Sequence, residues 1–214
     1  MYIPADFREE RLPVLHDFIA ANGFAPVVTQ GAEGLEASHL PWLIDRAAGP
    51  FGTLRAHLAR ANRHWRRIAD GADALVIFGG PNAYVSPSWY PSKAEHGRVV
   101  PTWNYIVVHV RGRARIVEDR AWLRDFLPAL TARHEAGRPA PWAVSDAPAD
   151  YVEDMMGAIV GIEVPITAIE GKWKLSQNRP VADRRGTAAG LAAEDASGAQ
   201  AVAAAMREGL AEDP

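Results

Sequence analysis

The segment from residue 81 to residue 105 limits the possible folds of this chain more than any other feature. It carries four prolines, two of the seven tryptophans and three of the five tyrosines of the sequence. Prolines inside a helix remove backbone donors and clash with the preceding turn, so a helix is not expected here. Disordered linkers are poor in aromatic residues, so a linker is not expected either. The segment therefore predicts an ordered loop between strands, whose rings and hydroxyl groups suit a planar ligand with polar edges.

Six segments have the apolar or alternating pattern of strands, with short helices and loops between them. Because the strands do not alternate with long helices, a doubly wound parallel sheet is not expected. The hairpin-like spacing favours an antiparallel barrel or sandwich with peripheral helices. The predicted strands are residues 24–30, 35–45, 52–59, 74–78, 105–117 and 159–169.

The composition is that of an ordinary soluble globular protein, with 48% hydrophobic and 23% charged residues. A net charge of -3 gives no reason to expect nucleic acid or an anionic membrane as a partner. The absence of cysteine excludes disulfides and thiol chemistry, and it fits the reducing cytoplasm. The first residues mix both charge signs, so no signal peptide is expected. No apolar run approaches the roughly 20 residues that span a bilayer.

Four clusters combine aromatic rings with cations and small hydrogen-bonding side chains. Lysine and arginine suit a phosphate, whereas amides and hydroxyls suit the edge of a heterocycle. The first cluster is Ser38 with His39 and Trp42, and the second is His57 with Arg60, Asn62, His64 and Trp65. The third lies in the aromatic segment, from Ser86 to Asn104, and the fourth is the run GKWKLSQNR at residues 171–179.

The residues of these clusters also have purely structural interpretations. His39 and His57 are equally compatible with satisfied structural histidines, and the arginines of residues 60–67 with the solvated face of a helix. A metal site made of His39, His57 and His64 lacks a diagnostic spacing. The sequence contains no nucleophile elbow, no G-x-G-x-x-G and no P-loop, so common hydrolase and nucleotide-binding sites have no support.

Several motifs in fixed order resemble those of the PaiB-type FMN-binding negative transcriptional regulators. They are MYIP at the start, HLARAN (57–62) before Trp65, YVSPSWY (84–90) before Lys93, VPTWNY (100–105), IVGIEV (159–164) and KWKLSQNR (172–179). The resemblance runs from Met1 to about Leu191. It implies a mainly β protein, a six-stranded antiparallel Greek-key split barrel of the pyridoxamine-phosphate-oxidase type that binds FMN at the interface of a homodimer. The expected division is a split-barrel domain at residues 1–190 and an Ala-rich helical tail at residues 191–214.

The resemblance and the four clusters together give a set of candidate FMN contacts. Arg60, with Lys93 or Lys174, is expected to neutralise the phosphate, and Trp89 or Trp103 to pack on the isoalloxazine. The remaining members would offer hydrogen bonds to the phosphate, the ribityl chain or the ring edge. The full set is Ser38, His39, His57, Arg60, Asn62, Trp89, Lys93, Thr102, Trp103, Asn104, Lys174 and Gln177. One departure from the family is His64, which stands where an amide-bearing residue is common.

Three functions stay open at this point. The first is a flavin-dependent redox protein, and the second is a regulatory module whose ligand controls a partner without turnover. The third is a haem-binding split barrel with His39 or His57 as the axial ligand. No helix-turn-helix is found, so DNA contact is unproven. Any affinity for DNA is expected to depend on Arg63, Arg66 and Arg67.

Overall fold

The computed structural model describes residues 1–31, 33–68 and 71–211 of the chain. These residues form two compact units: unit 1 is Met1–Leu15, Gly79–Val108 and Glu170–Pro214, and unit 2 is His16–Phe78 and His109–Ile169. The strands are β1 (Arg8–Glu9), β2 (Phe24–Gly31), β3 (Gly34–Pro41), β4 (Leu43–Asp45), β5 (Thr53–Ala59), β6 (Ala72–Val85), β7 (Thr102–Val117) and β8 (Ile159–Lys174). The helices are α1 (Leu12–Ala21), α2 (His64–Ile68), α3 (Ser92–His96), α4 (Arg120–Glu135), α5 (Ala149–Gly157), α6 (Val181–Ala192) and α7 (Ser197–Ala211).

Hydrogen bonds join the strands in the order β3-β2-β6-β7-β8-β5-β4, and β1 pairs with β8. The β2–β3 hairpin runs antiparallel from Phe24 opposite Pro41 to Gly31 opposite Gly34. Strand β5 also runs antiparallel to β8, from Thr53 opposite Pro165 to Ala59 opposite Ile159. The expectation of a mainly antiparallel sheet with peripheral helices is therefore confirmed.

The predicted count of six strands is wrong, because the described residues contain eight. The strand expected at residues 35–45 is interrupted at Trp42, where the chain leaves β2 and begins to pair with β5. The Trp42 indole is only 1% exposed and donates a hydrogen bond to the Ala25 carbonyl at 3.1 Å. Its backbone N–H donates to the Gly23 carbonyl at 2.7 Å, which fixes the bend. The other additional strand, β1, has two residues and is too short to show a period.

The loop expected at residues 81–105 is shorter than predicted, since β6 continues to Val85 and β7 begins at Thr102. The connection between them holds a 3-10 turn, Pro87–Trp89, and the short helix α3. Within β6 the buried side chains change phase, from even positions up to Phe78 to odd positions from Ala83 onward. A prediction based on strict alternation ends the strand where the phase changes, so the predicted strand is shorter than β6.

The Ala-rich region forms two helices, α6 and α7, and α6 begins before residue 191. Leu191, Val202 and Met206 are buried within unit 1, so these helices have a packed face in the chain itself. Residue 191 lies inside α6, and the separation of a tail domain from there on stays a prediction. No described helix has both the length and the apolar character needed to cross a membrane.

Candidate functional site

Unit 1 contains a small polar cavity of about 130 Å³ at the beginning of β7 and the end of β8. Thr102 and Asn104 reach it together because alternate residues of a strand share one face. Hydroxyl, amide and cationic groups predominate among its walls, which is the donor set of an anion site. The lining residues are Phe7, Val100, Pro101, Thr102, Asn104, Lys174, Ser176, Asn178 and Arg179.

Three cations lie at or beside this polar cavity: Lys172, Lys174 and Arg179. Lys172 and Lys174 place their ammonium groups 5.3 and 5.9 Å from the centre of the same Tyr105 ring. In residues 1–31, 33–68 and 71–211, no carboxylate forms an ion pair with any of the three. Burial, and then the charges of Lys172 and Arg179, lower the pKa of Lys174. Positive charge is therefore concentrated here without compensation, so an anion would be favoured.

Two polar side chains next to Lys174 shape the cavity. The Lys174 ammonium donates to the Thr102 hydroxyl at 2.6 Å and to the Trp103 carbonyl. Asn104 is fully buried, and its amide donates to the Ser176 hydroxyl at 3.0 Å. Ser176 has a φ of 66°, a left-handed conformation that costs a serine roughly 1–3 kcal/mol. Such strained residues are concentrated at functional sites, which supports this cavity as one.

The predicted contact Gln177 has both polar ends engaged with the backbone. Its carbonyl oxygen accepts from the Leu175 N–H at 2.7 Å, and its amide donates to the Trp173 carbonyl at 2.6 Å. Gln177 therefore holds the turn that follows β8. Gln177 would therefore affect a bound cofactor by positioning the residues of that turn.

An aromatic cleft of about 410 Å³ lies on the other face of β7 at its beginning. Trp103 reaches it because it points away from Thr102 and Asn104. The Trp103 and Tyr84 rings meet edge to face, with centres 6.3 Å apart, and about half of each side chain is exposed. Exposed rings at a cleft provide the faces on which a planar ligand stacks. The lining residues are Asn82, Ala83, Tyr84, Ser86, Trp89, Trp103, Leu191, Glu194, Ala196, Gly198 and Ala199.

Two glycines of α6 set the position of Trp89 in this cleft. A Cβ at Gly190 would lie 2.4 to 2.5 Å from three Trp89 ring atoms, and one at Gly186 would lie 2.1 Å from the Trp89 carbonyl oxygen. Glycine inside a helix costs about 0.5–1 kcal/mol relative to alanine, so its presence here reflects close contact. Sequence reasoning missed both positions, although glycine in an Ala-rich helix is a detectable signal.

Lys93 lies on the exposed surface of α3 and donates to the Ser88 hydroxyl at 3.1 Å. Its neighbour Ser92 is buried and is bound twice by Asp183 of α6, through its hydroxyl at 2.7 Å and its N–H at 3.1 Å. The helix that carries Lys93 is thus anchored to α6, and its ammonium stays available to solvent.

In unit 2, Ser38, Asn62 and His64 form one hydrogen-bonded network. The Asn62 amide donates to the Ser38 hydroxyl at 3.0 Å, and Nδ1 of His64 lies 2.9 Å from that same hydroxyl. Nε2 of His64 lies 2.8 Å from the Thr29 hydroxyl. His64 is fully buried, and burial lowers its pKa, so a neutral ring is favoured. The structure brings the predicted residues Ser38 and Asn62 together around this histidine.

The other predicted residues of unit 2 have separate surroundings. His39 is exposed, with its ring centre 6.2 Å from that of Phe24. Arg60 donates to the Gly157 carbonyl at 3.1 Å and to Glu118 at 2.7 Å, so its charge already has a partner at the surface. Burial lowers the pKa of His57, which lies at an apolar cavity of about 400 Å³.

The alternative of a three-histidine metal site is not supported. In the described ranges, no three His, Asp or Glu side chains are grouped closely enough to hold a metal ion. Both ring nitrogens of His64 are also occupied by hydroxyl groups.

Solved structures show the same fold at low sequence identity. A FAD and heme binding protein from Mycobacterium smegmatis matches with a TM-score of 0.58 and 17% identity, over 78% of this chain and 73% of its own. The flavocytochrome Anf3 from Azotobacter vinelandii matches with a TM-score of 0.56 and 13% identity, over 78% and 69%. These likenesses support the split-barrel type of fold.

Curated relatives match nearly the whole chain. The Bacillus subtilis protease synthase and sporulation protein PAI 2 is 31% identical over 210 residues, 98% of each chain. An uncharacterised protein of Aspergillus fumigatus is 30% identical over 236 residues, 89% of this chain and 90% of its own. Residues 1–168 match the family described as "Putative FMN-binding domain". The predicted PaiB-type resemblance and the FMN cofactor are confirmed at this level, and the chain belongs to that FMN-binding family.

Proposed function

We propose that this chain is a dimeric flavoprotein whose FMN serves redox chemistry or ligand sensing. The observation that carries the proposal is the position of two complementary surfaces at the beginning of β7. One face of the strand borders the cation-lined polar cavity, and the opposite face borders the aromatic cleft. A phosphate ester and an isoalloxazine ring require these two kinds of surface.

The polar cavity fits the phosphate end of FMN. At about 130 Å³ it is smaller than the roughly 300–1,000 Å³ of complete ligand pockets, so it suits one end of the cofactor. A phosphate monoester carries about 1.5–2 negative charges, which Lys174 and Arg179 would neutralise. The hydroxyl of Tyr90 is buried without a hydrogen-bond partner in the described residues, and the Arg179 guanidinium lies 5.2 Å from the centre of its ring. A polar ligand bound beside Arg179 could supply a partner for this hydroxyl.

The aromatic cleft fits the ring end. Trp103, Tyr84 and Trp89 supply flat apolar walls, and Ser86 and Asn82 supply groups that can bond to the polar edge of a flavin. Of the predicted contacts, Thr102, Trp103, Asn104, Lys174 and Trp89 thus lie at one of the two surfaces.

Because these surfaces lie on opposite faces of β7, a cofactor that uses both is best supplied by two copies of the chain. Closed two-fold dimers are the commonest assemblies of soluble proteins. In this arrangement the polar cavity of one copy receives the phosphate, and the aromatic cleft of the other copy receives the ring. Bound FMN would supply hydride or electron transfer, while these side chains bind and orient it.

Mixed dimers test the sharing of the site. Lys174→Met and Trp103→Ala each remove one surface, so each variant alone should bind FMN poorly. If the surfaces come from different copies, co-refolding the two variants at random pairing restores one intact site in each mixed dimer, or about a quarter of all sites. Recovery of no sites would show that one chain supplies both surfaces, and sedimentation of the FMN-loaded protein as a monomer would exclude the dimer.

A regulatory role in the cytoplasm is the second part of the proposal, and a sequence without cysteine is compatible with that reducing compartment. The support is the PaiB-type resemblance and the relative named protease synthase and sporulation protein PAI 2. Direct DNA contact would use Arg63, Arg66 and Arg67 of the segment around α2, but Arg67 is paired with Glu36 at 2.8 Å. Replacement of the three arginines by alanine should abolish any retardation of promoter DNA, and unchanged retardation would exclude this surface.

A haem ligand is a second candidate, and the favouring observation is His57, a half-buried histidine at an apolar cavity with a lowered pKa. A neutral imidazole is the form that binds iron. The absorbance of the untreated purified protein separates the candidates. Bands of oxidised flavin are expected, whereas a Soret band would favour haem. A colourless protein that takes up no added FMN would refute the flavin proposal.

A further inference from the structure

Unit 2 has a second concave surface that the flavin proposal does not use, the apolar cavity of about 400 Å³ beside His57. Strand β5, helices α4 and α5 and the segment between these helices form its walls. Its volume is within the roughly 300–1,000 Å³ range of small-molecule sites. All of its lining residues belong to unit 2, whereas the polar cavity and the aromatic cleft belong to unit 1.

Large apolar side chains are exposed around this cavity. Trp142, Tyr151 and Met155 line it, and each is about half exposed, between 47% and 57%. Leu127, Val152 and Met156 contribute further apolar surface. Exposed apolar side chains that gather at one concavity mark a binding surface, whereas single ones do not.

Two carboxylates on the helices that form the cavity are already paired. Glu153, on the same helix as Tyr151 and Met155, accepts from Arg120 at 2.8 Å and Arg124 at 2.7 Å. Glu135 pairs with Arg138 at 3.1 Å and also accepts from the Trp142 N–H at 3.0 Å. Neither carboxylate therefore offers an unpaired charge, and the described lining includes no Lys, Arg, Asp or Glu, which disfavours an ion.

His57 adds polar ring nitrogens to this mostly apolar lining, beside the hydroxyl groups of Thr131 and Tyr151. Its Nδ1 is buried and has no hydrogen-bond partner in the described residues, and its ring meets Phe126 edge to face at 5.9 Å. Burial lowers its pKa, so the ring is neutral near neutral pH and has one donor and one acceptor. A neutral histidine in a mostly apolar wall is one of the few polar groups that can orient a mostly apolar ligand.

We propose that this cavity binds an uncharged, largely apolar small molecule that carries one hydroxyl group, which hydrogen-bonds to His57. The ligand would occupy the space between β5, α4 and α5 and cover the exposed faces of Trp142, Tyr151 and Met155. The proposal does not depend on the flavin site, because it rests on unit 2 alone.

The test uses 1-naphthol as the probe and FMN-saturated protein, with calorimetry and amide-resolved NMR as the readouts. Saturable binding is expected, with shifts at residues of α4 and α5. Thr131→Phe fills the cavity from α4 and should abolish binding, whereas Ala132→Phe, at the exposed neighbouring position, should leave it unchanged. Should circular dichroism show that Thr131→Phe does not fold, Ala147→Phe fills the same cavity from the connecting segment.

The chemistry of the site is tested by a set of three probes. His57→Phe should weaken 1-naphthol about tenfold, because one neutral hydrogen bond is lost, and should leave naphthalene unchanged. The anion 1-naphthoate should bind more weakly than 1-naphthol. The proposal is overturned if no saturable binding occurs, or if Thr131→Phe and Ala132→Phe bind alike. It is also overturned if the cavity proves to be covered by a second copy, seen as dissociation of a dimer by Thr131→Phe, or if His57→Phe removes a Soret band.

Discussion

The ammonium group of Lys174 lies 2.6 Å from the hydroxyl of Thr102, so the end of β8 is bound to the beginning of β7. Lys174, whose pKa is lowered, therefore lines the polar cavity next to the beginning of β7. Trp103 lies on the opposite face of that strand. The beginning of β7 therefore separates the polar cavity from the aromatic cleft.

Alkaline pH should weaken FMN binding through Lys174. Burial and the nearby charges of Lys172 and Arg179 place its pKa below the ordinary 10.5, so its positive charge is lost earlier than usual as pH rises. The loss removes attraction for the phosphate but not for the ring. Titrations of FMN and riboflavin at increasing pH should show a decline for FMN alone, and Lys174→Arg should move that decline to higher pH. A parallel decline for riboflavin would contradict this role of Lys174.

Acid should destabilise the fold through its buried histidines. Burial lowers the pKa of His64 and His57 below 6.5, so the folded protein binds these protons less readily than the unfolded chain. The contribution of the two neutral histidines to the free energy of unfolding is complete above a pH of about 6.5. It is lost as pH falls below that value, by at most about 1.4 kcal/mol per pH unit for each histidine.

Urea unfolding between about pH 7.5 and about pH 5 measures this slope. His64→Gln, which replaces the ring with an amide that does not titrate, should flatten it by the share of one histidine. His134→Gln, at an exposed position of α4, is the matched control and should leave it unchanged. An identical slope in all three proteins would show that the network around His64 does not couple to pH.

The contact between Gly190 and Trp89 predicts a local effect on the aromatic cleft. Gly190→Ala forces a methyl group to within 2.4 Å of the ring, so Trp89 must move. A loss of roughly 1–3 kcal/mol in unfolding free energy is expected, despite the better helix propensity of alanine. Gly209→Ala in α7 is the control, because its Cβ meets open space and should stabilise the protein by up to about 1 kcal/mol. Equal stabilisation by both changes would mean that Trp89 is not held by α6.

The sequence predicted the sheet well because alternation persists along most strands. Strand β7, for example, keeps its buried residues at even positions from Asn104 to Ala114. The failures come from tertiary contacts: Trp42 changes strand partner within an apolar run, and β6 changes phase beyond Phe78. Neither event has a signal in local propensity.

The site was predictable in its chemistry but not in its arrangement. The aromatic segment and the KWKLSQNR run do supply the two surfaces, since Trp103 and Lys174 both lie there. Their separation by β7 follows from strand geometry, which a list of residue types does not contain. Arg179 lines the polar cavity although it was not among the predicted contacts, and the backbone engages both polar ends of the predicted contact Gln177.

Comparison of FMN with riboflavin in the Lys174→Met protein tests the central claim most directly. Riboflavin lacks the phosphate, so the two ligands differ only at the group assigned to Lys174 and Arg179. The variant should bind FMN about 10- to 100-fold more weakly, because one charge-assisted interaction is lost, and should bind riboflavin with unchanged affinity. Arg207→Met, at an exposed position of α7, is the matched control and should leave both affinities unchanged. Equal affinities of the variant and the parent protein for FMN would contradict a phosphate site at Lys174.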